Sequence, residues 1–136
     1  MTLDSLGLQL CDVQGRLFEL SASEGYDSEP FVEAFMTGPV AAAYDRTFDR
    51  SQWMGPAFLL DETADEAGGL PRGGESLSRD SLYWMGYCYR YWHLLTGEPS
   101  QSIYARADAS TMDAQYPGLH TISLDLAVER LVEQSR

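Results

Sequence analysis

One segment of the chain constrains its fold more than any other. Residues 82–95 read LYWMGYCYRYWHLL, and six of the sixteen aromatic residues of the protein lie between Tyr83 and Trp92. Ser78 or Asp80 suits the start of a helix, and Gly97 suits its end. Apolar and aromatic groups occur almost all the way round this helix, which we predict over about residues 79–96. A helix without a wide polar face is expected in the centre of a helical domain.

The N-terminal segment has the spacing of a second helix. Its apolar residues follow one another at intervals of 4, 3, 4 and 3 positions, which is one stripe of an amphipathic helix: Leu6, Leu10, Val13, Leu17 and Leu20. We predict that this helix ends near Glu24, before Gly25. A hairpin turning at Gln14-Gly15 is the competing interpretation, because leucines at positions 6, 8 and 10 also alternate.

Shorter helices are predicted along the rest of the chain. One begins at Asp27 or Ser28 and another at Pro39. A fourth helix is expected from about Ser51 to Ala67, bent or restarted at Gly55-Pro56, with one buried face: Trp53, Ala57, Leu60 and Ala64. After the aromatic helix we expect a short helix from residues 98–100, a helical turn over 110–116 broken by Pro117-Gly118, an extended stretch over 119–122, and a last helix capped by Ser123.

These elements predict an all-α fold. At 136 residues the chain is long enough for one core but not for two. We therefore expect a single compact domain over residues 1–136, with about six helices around the central aromatic helix. Residues 68–74, GGLPRGG, contain four glycines and a proline and are predicted to form a flexible loop.

The charge excludes several functions. All nine basic residues are arginine, so the chain has no lysine for a phosphate-binding P-loop or for Schiff-base chemistry. The net charge of −12 argues against DNA or RNA as the main ligand. Thirteen acidic and three basic residues lie in residues 1–71, so the first half of the chain is the strongly anionic half. A protein partner with a basic surface fits this charge, although an acidic surface also serves solubility alone.

Neither a membrane span nor a cofactor is expected. Uncharged runs such as Ser51 to Leu60, which is ten residues, are too short, because a span needs about twenty. The N-terminus lacks the features of a secretory signal, which predicts a cytoplasmic protein. Cys11 and Cys88 are too few for a disulfide framework and show no zinc-ligand spacing, so we expect reduced structural thiols and no bound metal or cofactor.

Two groups of residues are candidates for binding. Helical spacing places Tyr83, Tyr87, Arg90 and His93 near one face of the aromatic helix. Arginine and histidine beside tyrosine hydroxyls suit an anionic small molecule, a nucleotide or acid–base chemistry, whereas in a core the same residues are structural groups paired with carboxylates and backbone. The second candidate is an acidic cluster that suits a basic partner or is simply a solvated face: Asp61, Glu62, Asp65 and Glu66.

The chain also carries a resemblance to a known family. The markers are FMTGPVA at 35–41, QWMG at 52–55, LYWMGYCYRYWH at 82–93, TGEPS at 96–100 and His120-Thr121. These segments are similar to those of a family of small uncharacterised bacterial proteins found beside toxin–antitoxin-type genes. The resemblance implies a toxin–antitoxin or immunity-type context and supplies no catalytic residues.

A small toxin-like enzyme using Tyr87, Arg90 and His93 is an alternative to a binding protein. In the helical ribonucleases of the HEPN class, which this chain resembles in size and helix content, more residues separate the arginine from the histidine. Only Tyr91 and Trp92 intervene here, so we do not transfer that activity. The sequence favours an antitoxin-like or accessory module that binds a protein through its acidic surface.

Overall fold

Helices account for most of the structure. The computed structural model describes residues 3–136, which contain eight α-helices, one 3-10 helix at Arg50–Trp53 and no β-strand. The helices are α1 (Ser5–Ser23), α2 (Ser28–Thr37), α3 (Pro39–Tyr44), α4 (Pro56–Glu66), α5 (Arg79–Thr96), α6 (Ser100–Arg106), α7 (Ala109–Leu119) and α8 (Leu124–Gln134). The predicted all-α class is confirmed, with eight helices in one compact arrangement instead of about six.

The first helix resolves the helix-or-hairpin alternative. Residues 5–23 are one continuous helix, capped by the Asp4 carboxylate, which accepts a hydrogen bond from the Gly7 amide at 2.8 Å. Gly15, the turn residue of the hairpin interpretation, lies inside α1. A Cβ atom at this position would lie 2.9 Å from the Tyr83 carbonyl oxygen on α5. Glycine is therefore required here by the close approach of two helices.

The aromatic helix α5 begins and ends where the sequence predicts. The Ser78 hydroxyl accepts a hydrogen bond from the Ser81 amide at 3.1 Å, and Gly97 ends the helix with a φ of +78°. α5 packs against α1, α6, α7 and α8. Its fully buried apolar side chains include Leu82, Met85 and Trp92.

The predicted restart of the fourth helix at Gly55-Pro56 is confirmed, whereas its predicted buried face is wrong at Trp53 and Ala57, which are exposed. Gly55 caps α4 and Pro56 occupies its first turn, so residues 50–53 form a separate 3-10 helix. This break changes the helical phase, and Trp53 is 85% exposed. The buried residues of α4 are Leu59, Leu60 and Thr63.

The predicted break at Pro117 is also wrong. Helix α7 continues through Pro117 and Gly118 to Leu119, so only residues 120–123 lie between α7 and α8. Proline has a backbone φ compatible with a helix and removes a single hydrogen bond in the last turn. Met112 and Leu119 are buried, and their packing holds this turn against the core.

The glycine-rich segment 68–74 contacts the turn between α1 and α2. The Gly74 amide donates to the Asp27 carboxylate at 2.7 Å, and the Gly73 amide donates to the Gly25 carbonyl at 3.3 Å. The Arg72 guanidinium lies 4.2 Å from the centre of the Tyr26 ring. The flexibility of residues 68–74 stays a prediction.

Membrane insertion by a helix finds no support in the described part of the chain. Within residues 3–136, no helix has the length and apolar character required to cross a bilayer.

Candidate functional site

Arg90, one of the four residues predicted to bind a ligand, lies inside the protein. Its side chain is 1% exposed, and its three nitrogens donate to three residues from other parts of the chain. Nη1 donates to Asp45 Oδ1 at 2.6 Å, Nε to Gln14 Oε1 at 2.7 Å, and Nη2 contacts the Ser100 hydroxyl oxygen at 3.4 Å. A buried guanidinium requires such a set of acceptors. The geometry therefore supports a structural role for Arg90.

Asp45 is the centre of this buried network. Besides Arg90, its carboxylate accepts hydrogen bonds from the Ser100 amide at 2.8 Å and from the Ser100 hydroxyl at 2.7 Å. The guanidinium carbon of Arg90 also lies 4.7 Å from the centre of the Tyr44 ring. Burial raises the pKa of Tyr44 to about 12, so this ring stays neutral beside the cation.

His93 is held by two backbone carbonyls. Its Nδ1 lies 2.6 Å from the Glu98 carbonyl oxygen, and its Nε2 lies 3.1 Å from the Asp45 carbonyl oxygen. A carbonyl oxygen only accepts, so each contact is a hydrogen bond when that ring nitrogen carries a proton. His93 thereby links the end of α3 to the turn between α5 and α6, and both ring nitrogens face protein atoms.

The two predicted tyrosines have different partners from Arg90 and His93. The Tyr83 hydroxyl donates to Asp12 Oδ1 at 2.5 Å, and the Tyr83 and Tyr87 ring centres are 6.0 Å apart. Burial, followed by the hydrogen bond to Asp12, raises the pKa of Tyr83 well above its usual value. Burial also raises the pKa of Tyr87. Both hydroxyls are therefore neutral at physiological pH.

Tyr83 lines a wide surface groove between α1, α5 and α7. The groove has a volume of about 500 Å³ and carries both signs of charge, with Arg16, Glu19, Asp80, Trp84, Tyr116 and His120 as its other lining residues. The indole N–H of Trp84 is buried and has no hydrogen-bond partner in the described structure. Arg90 and His93 do not line this groove.

The acidic cluster lies on the surface of α4. Asp61, Asp65 and Glu66 are exposed and Glu62 is half-buried. Across residues 3–136, no group of three or more His, Cys, Asp or Glu side chains is arranged to hold a metal ion. The cluster therefore presents negative charge to solvent.

The structure adds an exposed aromatic group that the sequence interpretation missed. Phe48 is 88% exposed, Trp53 is 85% exposed and Phe58 is 44% exposed. The sequence predicts a buried position for Trp53 because this residue continues the spacing of Leu60 and Ala64. The Gly55-Pro56 pair, which starts a new helix, is the signal that separates Trp53 from that face.

A small groove is lined by one of these aromatic residues, Phe58, and by two residues of the acidic cluster, Glu62 and Glu66. This α3–α4 groove has a volume of about 200 Å³ and is lined by Pro39, Val40, Ala43, Asp49, Ser51, Phe58, Leu59, Glu62 and Glu66. Asp49 and Ser51 line this groove. Phe48 directly precedes Asp49 in the sequence and Trp53 follows Ser51 by two residues. We call Phe48, Trp53, Phe58, Glu62 and Glu66 the aromatic–acidic face.

Comparisons with known proteins identify no relative. No protein-family model, curated protein or solved structure matches the chain. The function is therefore inferred from the residues of the molecule itself.

Proposed function

We propose that the protein is an antitoxin-like or accessory module that binds a protein partner with a basic surface through the aromatic–acidic face. The observation that carries the proposal is the exposure of Phe48 and Trp53, which flank the groove-lining residues Asp49 and Ser51 in sequence, together with Glu62 and Glu66 of α4 in the same groove. Aromatic residues dominate the energetics of protein interfaces, whereas isolated large aromatic rings in water gain nothing from exposure.

The energetic argument follows from the area of these rings. A buried aromatic side chain removes at least about 150 Å² from water, which is worth roughly 4 kcal/mol before the costs of association. Covering Phe48 and Trp53 therefore gives an interface a strong centre. Asp61, Glu62, Asp65 and Glu66 supply the electrostatic steering toward a basic partner.

The small-molecule and toxin-like alternatives at Tyr87, Arg90 and His93 have less support. Arg90 is 1% exposed, and its donors already face Asp45, Gln14 and Ser100. A ligand at this position would have to displace a buried ion pair, which is expensive. A partner that binds the exposed rings of Phe48 and Trp53 would not have to break a buried ion pair.

We propose the bacterial cytoplasm as the location of this binding. Cys11 and Cys88 are both buried and free, which suits a reducing compartment. The family resemblance places similar proteins beside toxin–antitoxin-type genes, so the products of adjacent genes are the first partners to examine.

The test is co-purification from the native host with the adjacent genes present. Tagged wild-type protein should recover a stoichiometric basic protein at low salt and release it at high salt. The double variant Phe48→Ser, Trp53→Ser should lose this protein, and so should Glu62→Gln, Glu66→Gln. Leu126→Ser, another exposed apolar position at 39% exposure, should retain it. Recovery of the same partner by all variants would remove the proposal.

A further inference from the structure

We infer that the α3–α4 groove receives one apolar side chain of a basic amphipathic helix belonging to the partner. This inference rests on the proposed function, and it specifies the chemistry of the segment that docks.

The groove has the size and lining for a single apolar group. Its walls include Val40, Ala43 and Leu59, and its volume is about 200 Å³. Cavities that hold one benzene-sized ring are about 150 Å³, whereas pockets for drug-sized ligands start near 300 Å³. One leucine, methionine or phenylalanine side chain is therefore the fitting occupant.

The rim of the groove specifies positive charge on either side of that apolar group. Asp49, Glu62 and Glu66 all line the groove. Glu62 and Glu66 are one turn apart and lie on the same side of α4 as Phe58. The hydrogen bond that the Ser51 amide donates to Asp49 Oδ1, at 2.9 Å, lowers the pKa of Asp49, so this carboxylate stays ionised. Asp49 already pairs with Arg46, with 3.2 Å between Nη1 and Oδ2, so arginine or lysine residues beside the anchor would face Glu62 and Glu66.

The shape of the surface favours a helix as the docking segment. Residues 3–136 contain no strand, so they offer no sheet edge for an extended peptide. Helices that dock in grooves use apolar anchors at intervals of three and four residues. Here the groove takes one anchor, and Phe58, a groove-lining residue that is 44% exposed, offers further apolar contact beside it.

Charge argues against a second copy of this chain as the occupant. Each chain carries a net charge of −12, and two aromatic–acidic faces would bring Glu62 and Glu66 of each copy toward like charges. A basic helix instead neutralises them.

The test uses synthetic peptides as probes. The first is a peptide of about 18 residues with leucine on one helical face and arginine elsewhere; the second is its scrambled sequence, with the same composition and no apolar face. Calorimetry gives the Kd, and tryptophan fluorescence reports the site, because Trp53 is exposed whereas Trp84 and Trp92 are buried. The amphipathic peptide should bind, and the Trp53 emission should shift to shorter wavelength.

Matched variants separate the groove from general charge attraction. Ala43→Phe fills the groove without changing charge, and Phe58→Ser removes one of its walls at a 44% exposed position. Each should weaken binding by about tenfold or more, as should Glu62→Gln, Glu66→Gln. The pair Glu129→Gln, Glu133→Gln makes the same charge change on exposed positions of α8 and should leave the Kd within about twofold. Circular dichroism establishes that each variant is folded.

Several outcomes would overturn the inference. They are equal binding of the two peptides, no effect of Ala43→Phe and Phe58→Ser, no binding up to about 1 mM peptide, or self-association of the chain through this face. Its failure is distinguishable from failure of the proposed function. A native partner lost from Phe48→Ser, Trp53→Ser but retained by Ala43→Phe would keep the protein-binding role and reject the groove as its anchor site.

Discussion

A single buried arginine connects three segments that are distant in sequence. Arg90 on α5 reaches Gln14 on α1, Asp45 after α3 and Ser100 at the start of α6. Gln14 in turn donates to the Gly86 carbonyl at 2.9 Å, so the same network ties α1 to α5 twice. The buried charge of Arg90 therefore helps to hold these segments together in the folded protein.

Removing the Asp45 charge should therefore be costly. In Asp45→Asn, the Arg90 guanidinium stays buried without its anionic partner, which we expect to lower the free energy of unfolding by about 3–5 kcal/mol. Urea denaturation measures this change. Asp49→Asn is the control, because its partner Arg46 is exposed and screened by water, and little change is expected. Similar losses in both variants would contradict the role assigned to Asp45.

The two cysteines should resist modification in the folded protein. Burial raises the pKa of Cys11 to about 12 and raises the pKa of Cys88 well above its usual value. The thiolate is the reactive form, so native protein at pH 8 should take up almost no iodoacetamide, whereas unfolded protein should take up two equivalents. Mass spectrometry counts the adducts. Rapid labelling before unfolding would show that the core opens at these positions.

At the scale of helices, the contact of α1 with α5 depends on small residues. A Cβ atom on Gly86 would lie 2.6 Å from the Gln14 carbonyl oxygen and 2.9 Å from the Phe18 ring. We expect Gly86→Ala to lower the free energy of unfolding by about 1–3 kcal/mol, because backbone must move to admit the methyl group.

Gly118 provides the matched control for Gly86. It also lies within a helix, and a Cβ atom there meets nothing within 4 Å. Gly118→Ala should raise the free energy of unfolding, by up to about 1 kcal/mol, through the higher helix propensity of alanine. Thermal and urea denaturation measure both variants. Equal effects of the two substitutions would contradict the close approach of α1 and α5.

The junction of α5 and α6 should depend on pH through Glu98. Desolvation raises the pKa of this carboxylate, but hydrogen bonds from Arg106 and Trp92 outweigh it and lower the pKa overall. A carboxylate whose pKa is lowered by folding stabilises the protein at pH values above its pKa in the unfolded state, near 4.5. This contribution is lost as the pH falls through its pKa in the folded state. Glu98→Gln should therefore destabilise by up to about 1 kcal/mol at pH 7 and progressively less below pH 4.5. Melting curves across pH measure the difference, and a constant difference would contradict the assignment.

Local signals predicted most of the helices, and contacts distant in sequence decided the rest. The limits of α5 follow from Ser78 and Gly97, which act on their own helix ends. The exposure of Trp53 depends on the change of helical phase at Gly55-Pro56, and the continuation of α7 through Pro117 depends on tertiary packing. The spacing of apolar residues alone predicts neither. One partner of Arg90, Gln14, lies 76 residues away in the sequence. The sequence was therefore compatible with either a ligand site or a buried ion pair at Arg90 and did not distinguish the two.

At the scale of the whole molecule, the main electrostatic feature is the excess of carboxylates in the first half of the chain. The acidic cluster of α4 was visible in the sequence, whereas the aromatic residues beside it were not, because a tryptophan in a helical pattern is usually buried. Residues 1–71 carry ten more acidic than basic groups, and the described part of that half includes α1 to α4. These carboxylates repel one another in the isolated protein, and under the proposed function they would attract a basic partner.

The repulsion predicts that salt stabilises the isolated protein. Raising sodium chloride from about 10 mM to about 150 mM shortens the screening length from about 30 Å to about 8 Å, which weakens repulsion among the surface carboxylates. The Arg90–Asp45 pair is buried and should be screened much less. We expect Tm to rise by a few degrees, corresponding to about 1 kcal/mol for a chain of this size.

A charge-reduced variant separates screening from other effects of salt. Asp61→Asn, Glu62→Gln, Asp65→Asn, Glu66→Gln should show a smaller rise in Tm, because part of the repulsion is already removed. Calorimetry of both proteins in sodium chloride and in potassium chloride makes the comparison, and the two salts should agree if screening is the cause. A Tm that falls with salt would mean that exposed ion pairs such as Arg16–Asp12 outweigh the repulsion. The acidic half would then stabilise the free protein instead of favouring its complex with a basic partner.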